Sequence, residues 1–119
     1  MIWNGIEKRR FVRANFPCKI TIYMPSQHII STHTENIGAG GVRVVISERL
    51  DTSSEVGLEI KLGEEPIRCQ GRVVWAIESD DTSEGKPLSY DTGIEFYQIN
   101  EEDRSVINNF VEASAVEEK

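Results

Sequence analysis

From residue 16 onward, apolar and polar residues alternate with a period of two, and no helical period interrupts the pattern before Asn100. Alternation of this kind lines one face of an extended chain with apolar side chains, as in a strand buried on one side. Phe16, Cys18, Ile20, Ile22 and Met24 share one face, with Pro17, Lys19, Thr21 and Tyr23 on the other, and Pro25-Ser26 then reads as a turn. A second run from about His28 to Ile37 and a third, Val42 to Ile46, flank a glycine cluster and read as a hairpin. Val56, Leu58, Ile60 and Leu62 mark a fourth strand, closed by a turn at Gly63 to Pro66. Ile67, Cys69, Gly71, Val73, Trp75 and Ile77 mark one face of a long fifth strand, in which Gly71 allows a bulge. After an acidic loop, Leu88, Tyr90, Thr92, Ile94 and Phe96 mark a sixth.

Six strands in succession leave no room for the crossover helices that parallel pairing needs, so they must pair antiparallel. Curling the sheet closed removes its exposed edges. The expected fold is all-β with one C-terminal helix: a six-stranded antiparallel β-barrel. The helix follows Asn100, a capping residue, with Glu101, Glu102 and Asp103 at the end that the helix dipole favours for acids. Val106, Ile107, Phe110 and Val111 fall on one helical face, and Glu112 to Lys119 are expected to fray. With 119 residues the chain has the length of a single domain. Its expected parts are a flexible basic switch segment over 1–15, the barrel over 16–97, and the helix and tail over 98–119.

Several functional classes are disfavoured by the same residues. The longest apolar run, Val73 to Ile77, is far short of the roughly 20 residues that cross a bilayer as a helix. The N-terminus has no signal-peptide stretch before Glu7-Lys8-Arg9-Arg10. A cytoplasmic protein without membrane insertion is expected. Cys18 and Cys69 sit singly in apolar runs and read as buried reduced thiols; with His28 and His33 they show no zinc-finger spacing, so no metal is expected. The two histidines are placed in one strand, five apart, and so on opposite faces. No nucleophile elbow or metalloenzyme motif occurs, and the acidic loop at Glu78 to Glu84 reads as solvated. An enzyme is not expected, nor is a cofactor.

Charge narrows the choice of ligand. Residues 1–15 hold Lys8, Arg9, Arg10 and Arg13 against Glu7 alone, within a chain of net charge -7. The remainder is therefore strongly acidic and repels nucleic acid, which needs an extended basic surface to displace its counterions. A small anion at the N-terminal knot is compatible. Arg9-x-x-x-Arg13 supplies two planar guanidiniums able to clamp phosphate or the O6 and N7 edge of guanine, although as a lone feature it reads as a solvated linker. Asn36-Ile37-Gly38-Ala39-Gly40-Gly41 reads as a tight hairpin whose bare backbone amides also permit close approach of a ligand.

Taken in order, Arg9-x-x-x-Arg13, Asn36-x-Gly38-x-x-Gly41, Gly71-Arg72-Val73-Val74-Trp75 and Gly93-Ile94-Glu95-Phe96 resemble the PilZ domain family over about Glu7 to Val111. The resemblance implies a bacterial six-stranded barrel that receives the second messenger cyclic di-GMP. Carried over to this sequence, it implies that Arg9, Arg13, Asn36, Gly38 and Gly41 hold the ligand. Lys8, Arg10 and Gly40 are expected to assist, and a protein partner acts downstream. Gly38 departs from the family pattern, which has serine there. Asn36 is permitted, but its neutral amide accepts a weaker hydrogen bond than a carboxylate. Two competing readings follow: a PilZ-like adapter that binds protein without nucleotide, and a ligand-free barrel that is part of a larger protein.

Overall fold

The computed structural model describes residues 13–14, 17–79 and 88–117, with side chains over 17–79 and 88–114. Among the described residues, seven strands precede one helix: β1 (Arg13–Ala14), β2 (Lys19–Tyr23), β3 (Ile29–Gly38), β4 (Gly41–Ile46), β5 (Glu55–Lys61), β6 (Ile67–Glu78), β7 (Tyr90–Gln98) and α1 (Glu101–Glu117). Every pairing is antiparallel. The six longer strands run β3-β2-β5-β6-β7-β4 and close on themselves through β3 and β4. This is the six-stranded barrel expected from the alternation, with β1 as a short addition beside β2 on the same edge of β3.

The barrel fills with the alternating apolar positions. Ile20 and Ile22 of β2, Val42 and Val44 of β4, and Val56, Leu58 and Ile60 of β5 are all buried in one cluster. At roughly 1.5–3 kcal/mol for each fully buried aliphatic side chain, this cluster is the main source of stability. Helix α1 adds Ile107 and Val111 to it, both fully buried. Asn100 caps the helix as expected: its Oδ1 accepts a 2.8 Å hydrogen bond from the Asp103 amide.

Four local expectations are corrected. Helix α1 continues to Glu117 instead of fraying from Glu112. Val106 is 48% exposed, leaving a narrower buried stripe than its neighbours implied. His28 belongs to the turn before β3, where its Nε2 lies 2.8 Å from Glu48 Oε1, so the two histidines do not share a strand. The fifth alternating run does not keep one face throughout. Register shifts occur at Gln70/Gly71, where a bulge is expected from the glycine, and again between Val73 and Trp75. The second shift moves Trp75 and Ile77 to the outside, although both were placed on the core face.

Candidate functional site

The hairpin joining β3 to β4 turns through Ala39 and Gly40, with Gly38 opposite Gly41. Three contacts immobilise it. The Phe96 amide donates to the Gly40 carbonyl at 2.9 Å. Arg104 Nη1 of α1 donates to the Ala39 carbonyl at 2.8 Å. Gly41 packs so closely on β7 that a Cβ there would collide with the Ile94 carbonyl oxygen and lie 3.0 Å from Glu95 Cα. Such contacts with fixed backbone leave no room for any residue but glycine.

The opposite edge of β3 carries β1, in which Arg13 faces Gly38 and Ala14 faces Ile37. The end of the arginine segment and the glycine turn, 25 residues apart in sequence, are thus neighbours. Lys8, Arg9 and Arg10 lie outside the described residues, as does the side chain of Arg13. Asn36 is half-buried on β3 opposite Arg43, and Gly38 and Gly41 are buried. Gly40 is half-buried and lines a cleft beside the turn.

That cleft, about 190 Å³, is bounded by Gly40, Gly41, Val42, Val74, Trp75, Gly93, Ile94 and Glu95. Two of its outward positions, Gly41 and Gly93, are glycines: Gly41 packs on the β7 backbone and Gly93 is covered by the Trp75 ring. Trp75 forms one wall and remains 39% exposed. Glu95 stands opposite Gly41 across β4 and β7 and opposite Arg72 across β7 and β6. Arg72 Nη1 lies 3.7 Å from Glu95 Oε2, and the guanidinium carbon sits 4.5 Å from the centroid of the Tyr97 ring. Tyr97 in turn hydrogen-bonds Glu55, which raises its phenol pKa above the ordinary value. One row along, Arg43 Nε donates to Asp91 Oδ1 at 2.7 Å.

A larger hollow of about 380 Å³ lies elsewhere, around Tyr23, Gly57, Arg68, Gln70 and Gln98. None of the motif residues lines it, so size does not mark the site. Tyr23 donates to Glu59 there at 2.8 Å, which raises its pKa. Both cysteines are free and buried, as expected. Burial, and then the nearby Asp103 carboxylate, push the Cys69 thiol up to about 12, so it is a poor nucleophile.

Three residues were missed in the sequence. Trp75 was assigned to the core, yet Val73-Val74-Trp75 breaks the alternation and could have signalled the bulge. Arg104 is a cation in the first turns of a helix, where the dipole disfavours it; that mismatch points to a tertiary partner, here Ala39. Glu95 stands in the Gly93-Ile94-Glu95-Phe96 segment that carries the resemblance, yet nothing in that segment marks its role, since an outward carboxylate on a strand looks like any solvated one.

The PilZ domain family model matches residues 7–113. No curated protein sequence matches the chain. Among solved structures it is similar to the Bacillus subtilis inhibitor of motility MotI/DgrA, with a TM-score of 0.76 and 20% identity over 94% of this chain and 53% of that one. It is also similar to the PilZ domain of Escherichia coli YcgR, solved with c-di-GMP, with a TM-score of 0.71 and 10% identity over 93% and 94% of the two chains. A third is MrkH, described as a c-di-GMP-dependent transcription regulatory factor, with a TM-score of 0.63 and 15% identity over 92% and 50%. The chain thus spans about half the length of MotI and of MrkH. At these identities the neighbours share a fold, and with the family match over nearly the whole sequence, the chain belongs to the PilZ domain family.

Proposed function

We propose that this domain is a receptor for cyclic di-GMP, and that binding orders the basic segment before β1 over the barrel. The reading is carried by Arg13 facing Gly38, which joins the two signature segments on adjacent strands. Arg9 and Arg13 hold the phosphates and a guanine edge, and Asn36 with the amides of Gly38 to Gly41 reads a guanine. Lys8 and Arg10 add positive potential against the ligand's two phosphodiester charges. The YcgR PilZ domain, solved with c-di-GMP, supports the ligand class. No catalytic role is assigned to any residue.

Calorimetric titration with cyclic di-GMP, with GMP and cyclic di-AMP as controls, tests the reading. Saturable, guanine-selective binding is expected. Arg9→Ala and Arg13→Ala each remove charge-assisted hydrogen bonds and should each weaken binding about tenfold or more. Wild-type affinity in the double variant would reduce the segment to a solvated linker. The second reading, a protein-binding adapter, is favoured by glycine in place of serine at position 38 and by the exposed Ile77 and Leu88, at 59% and 57%. Absence of both heat and thermal shift at high ligand concentration would promote it.

A further inference from the structure

The cleft beside the glycine turn has a charge that a site made only for phosphate would avoid. Among the described residues, Glu95 is the one ionisable group lining it. A carboxylate accepts hydrogen bonds through two oxygens side by side and repels anions. The backbone of Glu95 pairs with Gly41, the last residue of the glycine motif, and Arg72, which also lies 3.8 Å from Glu55, approaches its Oε2 to 3.7 Å. The opposite wall is the exposed face of Trp75, which rests over Gly93. The hollow therefore offers an aromatic surface and a paired acceptor, the Trp75 indole N–H being the one side-chain donor among its described lining residues. A flat ring carrying two adjacent N–H donors satisfies both the surface and the acceptor.

Resting on the cyclic di-GMP reading, we infer that Glu95 is the residue that selects guanine, its carboxylate accepting from the ring N1–H and the exocyclic 2-amino group of a base lying against Trp75. Guanine presents these two donors side by side. Adenine presents an acceptor at N1 beside its amino group and leaves one carboxylate oxygen facing a lone pair, so it is rejected by the repulsion between the two and by the acceptor left unpaired. This carboxylate supplies the strong acceptor that the neutral amide of Asn36 does not. It also separates the ligand's charges: phosphates lie toward the arginine segment, and the base edge toward Glu95.

The test compares cyclic di-GMP with cyclic di-inosine monophosphate, which keeps N1–H and lacks the 2-amino group, in the wild type, Glu95→Gln and Glu95→Ala. Folding is checked by thermal melting, and Glu95→Gln preserves shape if the alanine variant melts early. The wild type should prefer the guanine ligand about tenfold or more over the inosine one. In both variants cyclic di-GMP should weaken by a similar factor and the preference should fall to about twofold or less. By contrast, Arg13→Ala should weaken both ligands and leave their ratio intact. Wild-type affinity and an unchanged ratio in folded Glu95 variants would overturn the role of Glu95 while leaving the receptor reading in place. Failure of the wild type to bind cyclic di-GMP at all would overturn both.

Discussion

Trp75 lies across Gly93 on the outside of the barrel, so closely that a Cβ at position 93 would sit 2.6 Å from three atoms of the indole ring. The pair is set by the bulge between Val73 and Trp75, which brings the two into register and turns the tryptophan outward. Glycine at 93 is thus the seat of a surface aromatic, and the cleft wall depends on it.

Gly93→Ala should lift the ring from its seat. Overpacking of this kind costs about 1–3 kcal/mol in a rigid core, and because Trp75 can swing toward solvent the lower end is expected. In a Trp3→Phe background, which leaves Trp75 as the only tryptophan of the two, emission should shift to the red and acrylamide quenching should rise. Unchanged emission and stability would mean that the ring is not seated on the glycine in solution.

The barrel could be read from the sequence because each strand buries one face, so its period survives in the residue order. What could not be read are the places where contacts between distant segments overrule local order. The bulge after Val73 reverses facing for Trp75 and Ile77, and parity alone cannot register an inserted residue. Strand β1 has two residues, too few to show a period, and exists because β3 offers an unpaired edge beyond β2. The motif residues of the turn were recognisable, but its walls, Trp75 and Glu95, come from β6 and β7 and are joined to it only by closure of the sheet.

Arg104→Ala tests how firmly the helix holds the turn. The variant loses a hydrogen bond from a charged donor to the Ala39 carbonyl in a part-buried setting, worth about 1.5–3 kcal/mol at most sites. A loss of about 1.5 kcal/mol is expected in denaturant unfolding, with faster amide exchange at Gly40 and Gly41. Equal exchange in variant and wild type would show that the contacts to β7 hold the turn without α1.

Alkaline pH should weaken the fold through Cys69. Its thiol titrates at an ordinary value of 9.0 when unfolded and at about 12 in the folded chain. The folded state therefore keeps a proton that the unfolded state releases, so stability is complete below pH 9 and is lost as pH rises towards 12. Tyr23 and Tyr97, both raised by their bonds to carboxylates, act in the same direction at higher pH. The urea midpoint should fall steadily above pH 9, and less steeply in Cys69→Ala. Parallel pH profiles for the two proteins would rule out the thiol as the source.

Gly38→Ser tests the departure from the family pattern. The residue ends β3, faces Arg13 on one edge and Gly41 on the other, and is buried. If a serine there bonds the ligand, the restored hydroxyl contributes roughly 0.5–1.5 kcal/mol and tightens cyclic di-GMP binding about two- to tenfold. The opposing effect is the new side chain itself, which must fit between two neighbouring strands and, without ligand, find a partner for a buried hydroxyl. The gain is expected to exceed the cost, because the Arg13 edge belongs to a strand of only two residues, paired to β3 at two positions. Affinity and melting temperature measured together separate the two effects. Tighter binding at unchanged melting temperature supports the assignment, whereas weaker binding by an equally stable variant would mean that position 38 faces away from the ligand.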